Sequence, residues 1–145
     1  MSRATPQMRN FAERVIAHEA RENKSSGATV PAGFRVGEKL RPHLASLMGN
    51  TGFHGLLARA VVLASADAPW LRAVRVREDG SLDGWEKIAA QVDPKEMADR
   101  AVLLVAQLLG LLVAFIGENL TLQLVREAWP KLSLDDLDFG KGDKK

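Results

Sequence analysis

Residues 101–117 read AVLLVAQLLGLLVAFIG, a run with no charge and one polar side chain, Gln107. Such a run is either the central helix of a soluble fold or a membrane span. As a helix it covers about 25 Å, short of the roughly 30 Å hydrocarbon core that about 20 residues normally cross. Arg100 and Glu118 abut it, and the flanking Lys and Arg residues are too evenly spread to orient it in a bilayer. Glu96, Arg100, Gln107 and Glu118 follow one another at separations of 4, 7 and 11 residues, which strings them along one narrow polar stripe. A central helix among amphipathic neighbours has this pattern. Buried core is therefore the favoured reading, with membrane association through 101–117 as the alternative. On another face Ala106, Gly110 and Ala114 recur every four residues, with Gly117 three further on. Small residues there let a second backbone approach closely, either for packing within the chain or as a seam for self-association.

Around this axis the signals are helical. Asp93-Pro94-Lys95-Glu96 is a cap, a proline at the first helical position and a glutamate placed to complete a capping box. Helical sequence then continues to Trp129, where Pro130 stops it. Unbroken, such a helix would be about 54 Å long, so a bend is expected near Gly117-Glu118-Asn119. Upstream, Asp83 is placed to cap a short helix carrying Trp85, Ile88 and Ala89. Val74–Gly84 shifts to strand periodicity around Asp79-Gly80. A loop at Glu78-Asp79-Gly80 sets Val76 opposite Leu82 and Arg75 opposite Asp83, pairing apolar with apolar and plus with minus.

In the first half, Thr5-Pro6 opens a helix whose apolar residues are Met8, Phe11, Ala12, Val15 and Ile16, running to about Asn23. The stretch 24–31, KSSGATVP, reads as a flexible loop. Pro42 predicts a kink or two short helices within Gly33–Asn50, and Gly49-Asn50 supplies a stop. Phe53, Leu56, Leu57, Ala60, Val61 and Ala64 then form the best amphipathic face in the chain. No internal repeat stands out. The expected fold is mainly α: a compact helical domain of five to six helices around a long apolar C-terminal helix (about 94–129), with one small β-hairpin (about 74–83). A single domain spans 1–131, and 132–145 is an acidic and apolar tail whose last residues are expected to be disordered.

The 145 residues suffice for one domain with its own core. They include no cysteine, which excludes disulfides, thiolate metal sites and a thiol nucleophile. No secretory leader is legible in MSRATPQMRNF, and the expected location is the cytoplasm. Net charge is +2, but it divides unevenly. Residues 1–77 hold 12 Lys/Arg against 5 Asp/Glu, and 78–145 hold 8 against 13. Opposite halves facing each other, within one fold or between copies, account for this best. The basic candidates are Arg35, Lys39, Arg41, Arg59, Arg72, Arg75 and Arg77. Tail residues Leu134, Asp135, Asp136, Leu137 and Phe139 have the style of a segment that docks into a groove fringed by cations, either on a partner or on the chain's own basic half.

Signals for chemistry are weak. The histidines His18, His43 and His54 have no ligand spacing between them and read as surface or cap residues. Ser46 and Ser65 lack a nucleophile elbow. Gly49, Gly52 and Gly55 follow no strand and precede no Lys-Ser/Thr pair, so they suit caps and close helix approach better than phosphate. No cofactor or metal is expected. The resulting expectation is a non-enzymatic cytoplasmic interaction or regulatory module, self-associating or bound to a protein partner. A membrane-associated protein and a nucleic-acid accessory protein using the basic half are the alternatives; the latter is disfavoured because no basic-aromatic reading surface accompanies the charge.

Overall fold

The computed structural model describes residues 5–22, 32–77 and 82–132. Helix α1 (Pro6–Glu22) begins at the proline, with the Met8 N–H donating to Thr5 Oγ1 at 3.1 Å. Helix α2 (Ala32–Ala64) follows, then a 3-10 turn (Pro69–Ala73) and two short strands, β1 (Arg75–Val76) and β2 (Leu82–Asp83). Helices α3 (Trp85–Gln91), α4 (Pro94–Ile116) and α5 (Glu118–Ala128) complete the described chain. The fold is mainly helical.

Helix α4 is the axis. Its residues 103–112 are all buried, with α1 and α2 packed along it and α5 in contact with it beyond the break at Gly117. Its N-terminus is capped as expected, Asp93 Oδ2 accepting from the Lys95 and Glu96 N–H groups at 3.1 and 3.3 Å. Glu96, placed in sequence to close a capping box, has its carboxylate 3.5 Å from the Trp70 indole N–H. Burial varies along the polar stripe. Gln107 is only 1% exposed, because helices surround α4 at that level, whereas Glu96 near its start is exposed. Among the described residues α4 alone is long and apolar enough to cross a membrane, and 61% of its apolar window is buried inside the fold.

The long helices break at glycines rather than at the internal proline. A kink is expected at Pro42, yet helical dihedrals persist through it. Pro42 is exposed, while Val36, Leu40 and Leu44 are buried. On the exposed side, the carbonyl a proline leaves unpaired can be hydrated at small cost. The break comes instead at Gly49 (φ 82°, ψ 161°), and Gly117 breaks the α4–α5 stretch with φ 91° and ψ 161°. Both occupy a backbone region that is essentially open to glycine alone.

The two helix–glycine–helix units correspond beyond their hinges. Counting back from each glycine, Val36, Leu40 and Leu44 match Leu104, Leu108 and Leu112. Counting forward, Phe53, Leu56, Leu57 and Ala60 match Thr121, Leu124, Val125 and Ala128, and every member of both sets is buried. Position 33 matches 101 in the same count, and these two meet: a Cβ added to Gly33 would lie 2.5 Å from Ala101 Cβ. Contact between equivalent positions is what an approximate twofold relation produces. No repeat is legible in the sequence because the correspondence lies in burial and backbone, with few identical residues.

The strands pair antiparallel with Arg75 opposite Asp83 and Val76 opposite Leu82, the pairing the alternation predicts; the turn residues 78–81 lie outside the described residues. The hairpin is shorter than 74–83 implies, with two residues in each strand. Asp83 does not cap α3. Gly84 holds that position in a left-handed conformation, and its N–H donates to Asp83 Oδ1 at 2.9 Å.

Candidate functional site

Seven basic residues of the first half were candidates for one surface; the fold divides them. Glu19, on α1, is 3% exposed. The Trp129 indole N–H donates to its Oε1 at 2.8 Å, Lys39 Nζ lies 3.5 Å from the same oxygen, and Arg35 Nε lies 3.4 Å from Oε2. Lys39 Nζ also sits 5.8 Å from the centre of the Trp129 ring. Arg35 and Lys39 are thus committed to a buried carboxylate that ties α1, α2 and the end of α5 together. Arg41 pairs with Glu38 at 2.8 Å. Sequence reasoning missed this cluster because its carboxylate comes from the polar side of an amphipathic helix and its indole from 110 residues away.

Arg59, Arg72, Arg75 and Arg77 remain on the other side of the α2 break. Arg77 Nη2 is 3.3 Å from Asp83 Oδ1. Two clefts adjoin here, on opposite sides of the segment 73–76, which is extended from Val74 onward, because successive residues of an extended segment face opposite ways. One cleft, about 470 Å³, has Val74 and Val76 on one wall and Ala58, Val61 and Val62 of α2 on the other, with His54 and Ser65 between. Val62 is 66% exposed at its rim. The second, about 600 Å³, is lined by Arg72, Ala73, Arg75, Asp83, Gly84 and Lys87. Arg72 lines both. Lys87 was missed in sequence because it comes from the acidic half, on α3.

His54 and Ser65 in the apolar cleft are internally satisfied. His54 Nε2 donates to the Val76 carbonyl at 3.1 Å, fastening β1 to α2, and Ser65 Oγ donates to the Val62 carbonyl at 2.7 Å. In the charged cleft the carboxylate of Asp83 is engaged by Arg77 and the Gly84 N–H. Arg72, Arg75 and Lys87 have no ion pair with any described carboxylate. The combination is an apolar slot beside a group of three available cations.

The other candidates are dispersed. His43 Nδ1 is 3.6 Å from Glu127 Oε1, while His18 is 8% exposed. A surface or cap place is expected for His18, but it is buried because its position on α1 faces the neighbouring helices. Among the described residues no three His, Asp or Glu side chains converge on a point that would hold a metal ion. Gly49 is a hinge, whereas Gly52 and Gly55 lie within the second arm of α2. Ala106 and Gly110 are buried inside the fold, Ala114 is exposed and Gly117 is the second hinge. The tail residues Leu134, Asp135, Asp136, Leu137 and Phe139, and the 24–31 loop, lie outside the described residues. Ion pairs between the two halves of the sequence include His43–Glu127 and Arg77–Asp83, and apolar packing on α4 joins the halves as well.

Comparison of the chain with protein-family models, with curated proteins and with solved structures finds no match.

Proposed function

We propose that this chain is a non-enzymatic, cytoplasmic interaction module, and that its docking surface is the pair of clefts meeting at Arg72. The observation that carries this reading is the pairing of an apolar slot with Arg72, Arg75 and Lys87, cations that no described carboxylate neutralises. A peptide with alternating acidic and apolar side chains fits both, its carboxylates against the cations and its apolar groups beside Val62, Val74 and Val76. Three cations from three different elements do not make the long basic track that nucleic acid prefers.

Membrane anchoring through α4 would require 103–112 to leave their contacts with α1 and α2, exposing the apolar faces of both. Self-association belongs to the proposal on a separate observation. Phe115 is 73% exposed beside exposed Ala114 at the end of α4, an apolar spot that a second copy would cover. Light scattering across a concentration series is expected to give a dimer mass, and a monomer mass throughout would remove that part.

The docking reading is tested by titrating the ¹⁵N-labelled full chain with a short Leu/Asp peptide and following amide shifts. Shifts are expected at 58–66, 72–76 and 84–87, with affinity falling roughly tenfold as salt is raised enough to shrink the screening length to about 3 Å. A Leu/Lys peptide is expected to leave the spectrum unchanged. Shifts confined to other surfaces, or equal response to both peptides, would contradict the assignment. Retention of labelled DNA or RNA at low salt without peptide binding would point to the nucleic-acid alternative.

A further inference from the structure

We propose that in the free chain the clefts at Arg72 are occupied by the chain's own C-terminal segment, 134–139, so that an outside partner must displace it. This rests on the docking reading and names its first ligand. Beyond Leu132, where the description ends, the sequence continues Ser-Leu-Asp-Asp-Leu-Asp-Phe through Phe139. Asp135, Asp136 and Asp138 make the segment acidic, the charge complementary to the cations of the cleft. In an extended segment Asp136 and Asp138 project to one side and Leu137 and Phe139 to the other. That two-sided character matches a site with cations on one side of 73–76 and an apolar slot on the other.

A chain of contacts links the root of the segment to the region of the cleft. Trp129 lies against Lys39, six residues along α2 from Gly33, and Gly33 meets Ala101. Five residues back along α4, Glu96 contacts Trp70, two residues before Arg72. The root of the segment and the cleft are thus connected through α2, α4 and the 3-10 turn. From Leu132, residues 135–139 reach about 10 to 23 Å when extended. Attraction between the segment and the cleft is intramolecular, so modest individual ion pairs suffice to keep the site filled.

The experiment uses the full chain with a nitroxide on Gly140→Cys, a unique attachment point because the sequence has no cysteine. Loss of amide peak intensity is expected at 72–76 and 84–87, and recovery is expected at high salt and in the Arg75→Glu/Lys87→Glu variant. Both side chains are exposed, and an otherwise unchanged amide spectrum verifies that this variant is folded. Asp135→Lys/Asp136→Lys/Asp138→Lys, which leaves every described residue intact, is expected to restore the peaks equally. Mixing unlabelled-nitrogen spin-labelled chain with ¹⁵N chain lacking the nitroxide is expected to give no loss; loss in that mixture would assign the cleft to the tail of a second copy and overturn the proposal. Loss around 35–43, or nowhere, would also overturn it. If the Leu/Asp peptide still shifts the cleft amides in that case, the docking reading stands and only the choice of ligand fails. If neither acts there, both fail.

Discussion

Replacing Glu19 by alanine is expected to lower the unfolding free energy by about 3 kcal/mol, a large part of what holds a domain of this size together. The buried Trp129 N–H would lose its acceptor, which costs about 1–3 kcal/mol by itself. Arg35 and Lys39 would face each other without the carboxylate between them. Their side chains are 20% and 35% exposed and can turn toward water, which keeps the loss toward the lower end of the roughly 3–5 kcal/mol typical of broken buried pairs. Glu19→Gln keeps an acceptor for the indole and is expected to cost about half as much. Urea unfolding of the three proteins, with a Glu19/Trp129 double-mutant cycle, measures the coupling. A loss below about 0.5 kcal/mol for the alanine variant would mean that this cluster does not fasten α1 to the end of α5.

The second large effect concerns the hinges. Gly117→Val is expected to destabilise by about 3 kcal/mol, and Gly49→Val by a similar amount, because a β-branched residue is strained at φ near +90° with extended ψ. A Cβ at either position meets nothing within 4 Å, so the cost is conformational rather than steric. Gly55→Ala supplies the contrast. Gly55 lies in the second arm of α2, exposed and with open space around it, and has no positive φ. Alanine there is expected to raise stability by about 0.5–1 kcal/mol. Thermal or urea unfolding reads both signs. Equal tolerance of Gly117→Val and Gly55→Ala would mean that α4 and α5 run on as one helix in solution.

Much of the architecture was legible in residues because it depends on local pattern. The apolar run 101–117, the Asp93-Pro94 start, the break at Gly117 and the strand register each follow from periodicity or from a residue with a single conformational use. The continuous helix through Pro42 was not legible, because the cost of an internal proline depends on which side faces water. Helical spacing placed Gln107 on one stripe with Glu96 without saying what packs on it, and Gln107 is buried where Glu96 is exposed. Close helix approach was anticipated at Ala106 and Gly110, and both are buried, but the Gly33–Ala101 meeting depends on how two long helices cross. The basic surface shows the same limit. Counting charge along the chain grouped Arg35 and Lys39 with Arg72 and Arg75, whereas Glu19 withdraws the first two and Lys87 joins the second pair from the acidic half.

The central claim is that α4, through its residues 103–112, forms the buried axis of this fold in water. Amide hydrogen exchange of the full chain without detergent, repeated with phospholipid vesicles present, tests it most directly. Residues 103–112 are expected to be the slowest-exchanging amides in the chain, with protection set by global unfolding and unchanged by vesicles. Fast exchange of 103–112 in water, becoming slow only when vesicles are added, would contradict a buried axis and make the same stretch a membrane segment.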